Sequence, residues 1–209
     1  DKDKKQYEKL LKDMRTIPGL PYPPDEMVTY FKWVDDFAAA RNFNLETIDT
    51  DYWFWADSDD TLDHPERLAD IVKFMQANNL DVVQLPYDYS QNEAGEGTAD
   101  HIRERVIKRS YEGKWDAPVH ETFQGPIAMV QQLDWVKVVH DKAKIDIKKS
   151  MERNCKILEK HYAETQDPRD AFYLGMTALS NQKLEESIDW FMRHIETSGA
   201  PEDIYRSWC

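Results

Sequence analysis

The apolar positions of the chain change period as it is read from residue 1. Over residues 1–16, Tyr7, Leu10, Leu11 and Met14 recur at helical spacing and predict an amphipathic helix. The stretch Pro18 to Pro24 breaks it, and a short extended piece is expected near Met27 to Phe31. A second helical stripe follows over 32–48, marked by Val34, Phe37, Ala38, Leu45 and Ile48. Arg41 falls on that same stripe. A guanidinium on an inward face is costly unless it meets an anion, so it either snorkels, pairs with Asp35 or Asp36, or reaches a bound phosphate or an acidic cluster.

The pattern then becomes strand-like. Residues 51–57 carry the apolar run Trp53 to Ala56, which stops at Asp57, Asp59 and Asp60. Such a run suits a strand buried on both faces, with its acids emerging at the carboxyl edge of a sheet, where open α/β folds bind ligands. On an extended strand end Asp57 and Asp59 would leave on one face. Two such carboxylates repel unless a cation lies between them, and a divalent ion is the usual answer. The competing reading is a solvated acidic turn before a helix. Asp63 is expected to cap that helix, with Pro65 in its first turn and Leu68, Ile71, Val72 and Met75 on its buried side. Further strands are expected at 81–87, at 101–109 with a basic face, and at 132–140, ending in His140. Residues 88–100 read as a mobile loop, and 115–123 as a compact loop holding Trp115, His120 and Glu121. From Ile145 onward the pattern is helical. Strands interspersed with helices, then helices alone, predict an α/β sheet domain with a helical tail.

Composition narrows the chemistry. The 209 residues fit one domain with a small appendage, and a 41% apolar fraction is enough for a core. With 40 acids against 27 bases the formal charge is −13, which argues against a nucleic-acid partner and against unassisted docking on an anionic membrane. An acidic protein that handles anionic substrates needs a metal to offset its own field. No apolar run is long enough for a transmembrane segment. Cys155 and Cys209 make no disulfide framework and have no metal-ligand spacing, so the expected compartment is the cytoplasm.

Three motifs compete for the acidic stretch. A calcium loop of the EF-hand kind counted from Asp57 needs Gly and Glu where Leu62 and Leu68 stand, and it fails. Asp57, Asp59, Thr61 and Leu62 match the haloacid-dehalogenase phosphatase signature, in which Asp57 would be the nucleophile. That chemistry also needs a downstream Gly-Asp-x-x-x-Asp, which the chain lacks. The third is the Asp-x-Asp of nucleotide-sugar glycosyltransferases.

Other stretches favour the third. Trp33, Asp36, Phe37, Ala40, Arg41 and Asn42, then Asp57 and Asp59, then Val119, His120 and Glu121 with Arg105 and Arg109 upstream, then His140, follow in order. Over residues 30–145 this pattern resembles the family 2 glycosyltransferases of the GT-A fold. The tail, with Leu174, Gly175, Ala178, Ser187 and Phe191 in a helical pair and Pro201 after it, is similar to one tetratricopeptide unit. Such a unit packs on a neighbour or belongs to a longer array, and it offers a surface for a protein partner. A complete GT-A domain opens with a βαβ segment that holds the nucleotide, and nothing here resembles it. The resemblance therefore implies an incomplete GT-A-like mixed sheet flanked by helices over 1–145, the metal and acceptor half, and a tetratricopeptide-like tail over 146–209. It also implies a fragment that binds a nucleotide sugar weakly and is inactive alone.

The resemblance implies metal-dependent, inverting transfer from a nucleotide-diphosphate sugar to a glycan, peptide or lipid-linked acceptor. Asp57, Asp59 and His140 would hold Mn²⁺ or Mg²⁺, although His140 also fits a satisfied edge histidine. Glu121 is the candidate base, with Asp60 and Asp116 as rivals. Arg41 and Asn42 would lie behind the nucleotide, and Asp60 and His120 would touch substrate. Trp115 offers a stacking platform for a sugar ring, or plain packing. The rival readings are the phosphatase and a non-catalytic interaction module built on the tail.

Overall fold

The computed structural model describes residues 2–16, 23–91, 97–140 and 147–198. Pro18 to Pro21, Pro201 and Cys209 lie outside them. Two compact units divide the chain: Thr47–Trp115 with Phe123–Asp146, and Asp1–Glu46 with Asp116–Thr122 and Ile147–Cys209.

The first unit is a mixed sheet. Its strands are β1 (Tyr52–Phe54), β2 (Asp60–Asp63), β3 (Val82–Gln91), β4 (Gly97–Lys108), β7 (Val130–Gln132) and β8 (Lys137–His140), and the short β5 (Lys114–Asp116) and β6 (Thr122–Gln124) form a separate pair. The order is β1-β4-β3-β8-β2, with β7 also on β3. β3 runs parallel to β7 and β8, while β1–β4, β3–β4 and β2–β8 are antiparallel. The carboxyl ends of β1, β3 and β8 therefore share one edge of the sheet. Helix α4 (Leu68–Asn78) covers one face, because Ile71 and Met75 lie one turn apart and both reach zero exposure against Val83, Leu85, Val106 and Val136. Asn79, in the left-handed conformation, ends that helix.

Trp53 is buried, while Tyr52 and Phe54 pack on the core cluster, so β1 is covered on both faces as its apolar run implies. Several expectations are corrected here. β1 ends at Phe54, and Asp57 lies in a turn closed by the Asp60 N–H donating to the Asp57 carbonyl, because the chain must turn before Asp60 pairs with His140. Asp63 ends β2 and caps nothing; a one-turn 3₁₀ helix at Pro65–Arg67 precedes α4, and neither has a side-chain cap. The expected loop 88–100 is largely strand, since β3 and β4 extend through it with register shifts, and only 92–96 fall outside the described residues. The expected strand 132–140 is two strands, β7 and β8.

The second unit is helical: α1 (Lys2–Met14), α2 (Pro24–Met27), α3 (Phe37–Glu46), α5 (Ile147–Thr165), α6 (Pro168–Ser180) and α7 (Leu184–Ser198). The extended piece expected near 27–31 is not a strand: α2 ends at Met27, and residues 28–36 form no regular element. Asp36 starts α3, its Oδ1 accepting from the Ala39 N–H at 2.8 Å. The core joins Val119, Ile157, Leu158 and Leu174 with Trp33, Phe37 and Tyr173. In α6, Gly175 lets the chain approach Phe191 of α7: a Cβ there would lie 2.7 Å from that ring. Ser187 Oγ donates to the Gly175 carbonyl at 2.9 Å across the same crossing.

Candidate functional site

At the carboxyl edge of the sheet, residues 55–59 carry the chain from the outer strand β1 to the opposite outer strand β2, past β4, β3 and β8. The crossing is tied down as it goes. Trp55 N–H donates to the Arg105 carbonyl at 3.3 Å, and Arg105 Nη1 donates back to the Trp55 carbonyl at 3.1 Å. The segment then delivers Asp59 and Asp60 beside His140, opposite Asp60 in the β2–β8 register.

Asp60 has no exposed side-chain surface. Its Oδ2 accepts from Arg105 Nη1 at 3.3 Å and from the Asp57 N–H at 3.0 Å. Its Oδ1 accepts from the Tyr87 hydroxyl at 3.3 Å and lies 3.2 Å from His140 Nδ1. Asp59 Oδ1 stands 3.8 Å from the same nitrogen and is a quarter exposed. One ligand atom each from Asp59, Asp60 and His140 fall within 4.8 Å of one another, so the group could hold a metal ion.

Arg105 is fully buried. Its guanidinium carbon sits 3.7 Å from the centroid of Trp55 and 4.4 Å from that of Tyr87. Its Nε and Nη2 have no hydrogen-bond partner among the described residues. Desolvation pushes the Arg105 pKa down and Asp60 opposes it. Burial, reinforced by the charges of Asp60 and Asp57, raises the Tyr87 phenol well above its ordinary range, so it stays a proton donor. Asp57 thus acts on the cluster through its charge, and its carboxylate is outside the set of three that meet. Asp59 and Asp60 with the charge of Asp57 close by, set against Arg105 with Arg103 in electrostatic reach, make a cluster of the donor type that divalent cations bind.

Trp115 is buried edge-on against Trp55, ring centroids 4.9 Å apart, and packs on Phe123. That geometry is packing; a sugar platform would need an open ring face.

The second unit gathers the remaining candidates around the segment 117–121. Arg41 Nε donates to Glu121 Oε1 at 2.5 Å, so the inward guanidinium of α3 meets this carboxylate rather than Asp35 or Asp36. Asn42 follows it on α3, half-buried. Phe37 N–H donates to the Pro118 carbonyl, and Val119 is buried in the helical core. His120 sits in the left-handed region, at φ 56°. Its ring stacks on Tyr173 of α6 with centroids 4.0 Å apart, and its carbonyl accepts from Arg169 Nη2 at 2.5 Å. Desolvation pushes the His120 pKa below the usual histidine value, Glu121 opposing it and Arg169 adding to it.

A second potential metal-binding group, His161, Asp167 and Asp170, joins α5 to α6. There His161 Nδ1 lies 2.6 Å from buried Asp170 and Asp167 caps α6, which accounts for the group as a helix joint. Tyr87 is a site residue outside the sequence expectations, whereas Arg105 is expected from the family pattern; its burial against Asp60 is what the alternation of β4 does not encode.

Two comparisons bear on these residues. Residues 4–134 match the family described as "Glycosyl transferase family 2". The chain is also 23% identical, over 180 residues, to the SPbeta prophage-derived glycosyltransferase SunS of Bacillus subtilis (strain 168) and equally to glycosyltransferase SunS of Bacillus phage SPbeta. The alignment covers 82% of this chain and 42% of each relative, so the chain spans about two fifths of the length of the curated relatives it matches. Among the described residues no helix is long and apolar enough to cross a membrane.

Proposed function

For a chain that belongs to glycosyl transferase family 2, we propose metal-dependent transfer of a sugar from a nucleotide-diphosphate donor to an acceptor hydroxyl or similar nucleophile, with inversion. The single observation that carries this reading is the group Asp59, Asp60 and His140 at the carboxyl edge of the sheet. Carboxylate oxygens with one imidazole suit a hard to borderline divalent ion, which Mn²⁺ matches better than Mg²⁺ because Mg²⁺ favours oxygen alone. Asp59 and His140 would hold the ion, Asp57 adding charge from the turn. When bound, such an ion stabilises charge on a leaving diphosphate.

The chain's own residues do the rest. Glu121 takes the acceptor proton, and Arg41 fixes the direction of its carboxylate. His120, stacked on Tyr173, keeps the segment 117–121 in its left-handed turn and offers a ring edge to substrate. Arg41 and Asn42 would lie behind the nucleotide in this scheme. The match to the glycosyltransferase family favours transfer over the phosphatase reading, which would make Asp57 a nucleophile.

The test uses the full-length protein. Release of nucleotide diphosphate from a panel of nucleotide sugars should stop with chelator, return with Mn²⁺ and be abolished in Asp59→Ala. Chelator-resistant turnover, or beryllofluoride trapped on Asp57, would overturn the proposal.

A further inference from the structure

We infer that Arg169 of α6 is a positioning residue: it pins the His120 carbonyl and so aims the Glu121 carboxylate that follows. This inference rests on the proposed role of Glu121 as base. Segment 116–122 lies between two strands in the sequence, yet it belongs to the helical unit. It carries two non-glycine residues in the left-handed region within four positions, Ala117 at φ 73° and His120 at φ 56°. Each such residue is strained and persists only where its surroundings over-determine it. The first part of the segment is held by the Phe37 N–H on the Pro118 carbonyl and by burial of Val119 against Ile157, Leu158 and Leu174. At His120 the hold comes from α6. Arg169 Nη2 donates to its carbonyl, and Tyr173 stacks on its ring. That carbonyl belongs to the rigid peptide plane joining His120 to Glu121, so fixing its direction fixes where the next side chain starts.

Arg169 is itself anchored. It lies one turn before Tyr173 on α6, its guanidinium carbon 5.3 Å from that ring's centroid, so the two side chains present one surface to His120. The first turn of α6 is fixed from three directions. Asp167 Oδ1 accepts from the Arg169 N–H at 2.9 Å, His161 of α5 meets Asp170 at 2.6 Å, and His194 Nδ1 of α7 donates to the Pro168 carbonyl at 2.8 Å. A cation in the first turn of a helix opposes the helix dipole, so local helix energetics do not favour arginine at this position; the His120 carbonyl is the partner that accounts for it. Glu121 is then set twice, its backbone through Arg169 and its carboxylate through Arg41. A base must lie within hydrogen-bond reach of the acceptor, so a swing of this peptide plane lowers turnover while metal and donor binding stay as they are.

The test is a double-mutant cycle in the full-length protein, read by nucleotide-diphosphate release from the nucleotide sugar that turns over fastest with Mn²⁺. Arg169→Met should lower kcat about 10–100-fold, the scale of a hydrogen bond from a charged donor, with KM for that sugar and Mn²⁺ affinity within about twofold of wild type. In a Glu121→Gln background the same substitution should cost less than about threefold, because the group it aims is gone. Arg169→Lys keeps the charge, guards against loss of the fold and should be slowed severalfold. A second readout needs no turnover. The His120 ring protons, assigned with His120→Gln, should resonate upfield in the wild type because they lie over the Tyr173 face, and should move toward free-histidine positions in both Arg169 variants. Wild-type kcat in both variants, an undiminished effect of Arg169→Met in the Glu121→Gln background, or unmoved ring signals overturns the inference. A Glu121→Gln enzyme with wild-type kcat overturns the proposed base instead, and the ring signals then decide on their own whether Arg169 holds the segment.

Discussion

Arg105→Met puts the buried end of the candidate site under the largest load. Arg105 and Asp60 are both fully shielded from solvent and 3.3 Å apart, so deleting the guanidinium leaves Asp60 as a buried carboxylate held only by neutral donors and His140. Breaking such a pair from one side costs about 3–5 kcal/mol. The cation–π contacts with Trp55 and Tyr87 are lost in the same change and are counted within that range, since methionine restores part of the packing. For a chain of this size each kcal/mol moves the melting temperature by roughly 2–4 °C, so the variant should melt about 10 °C lower. Urea unfolding followed by tryptophan fluorescence measures it directly, because Trp55 lies against the altered side chain. The double variant Arg105→Met/Asp60→Asn should recover about 2 kcal/mol or more, since the stranded charge is gone. Arg103→Met on the same strand, a third exposed and paired with Glu104, should change stability by no more than about 1 kcal/mol. A loss below about 1 kcal/mol for Arg105→Met, or strict additivity in the cycle, would refute the buried-pair reasoning.

Three further outcomes are expected. Glu121→Gln should cut kcat of transfer by about 10²–10⁴ while leaving Mn²⁺ affinity unchanged, read by donor turnover and calorimetry. Tyr173→Ala removes the ring under His120, an aromatic contact worth about 0.5–1.5 kcal/mol, and should lower kcat up to about tenfold with Tyr173→Phe restoring it. The lowered pKa of His120 means the folded state binds its proton less readily than the unfolded chain. Its contribution to stability is therefore present above the ordinary histidine value, near pH 6.5, and fades as the pH falls through the folded value. His120→Gln should flatten that part of the pH–stability curve, checked by denaturant titrations between pH 5 and 8.

The acidic edge was legible because its signal is local. A short apolar run that stops at a cluster of acids identifies a covered strand and the place where it emerges, and β1 with the Asp57–Asp60 turn follows that pattern. The partners were harder to read because they depend on pairings far along the chain. Asp60 meets His140, and Arg41 meets Glu121, each 80 residues away, which no local period encodes. Arg41 on an inward stripe needs an anion, and the sequence leaves nearby Asp35 and Asp36 open as partners; the anion is Glu121, while Asp36 starts α3. Residues 88–100 read as a loop because Gly, Ser and Asn lower strand propensity, and pairing with the neighbouring strand overrides that preference over most of the span. Arg105 reads from the sequence as part of the basic face of the 101–109 strand and of the family pattern. Its burial follows from Trp55 and Tyr87 closing over it, a tertiary fact without a sequence period.

The central claim is that the carboxyl edge carrying Asp59 and His140 holds one divalent cation. Calorimetric titration of Mn²⁺ into the metal-free full-length protein tests it most directly, run beside Asp59→Ala and His140→Ala. The account predicts one site per chain in the wild type and affinity lost in both variants. An Asp59→Ala protein that binds Mn²⁺ as tightly as the wild type contradicts it.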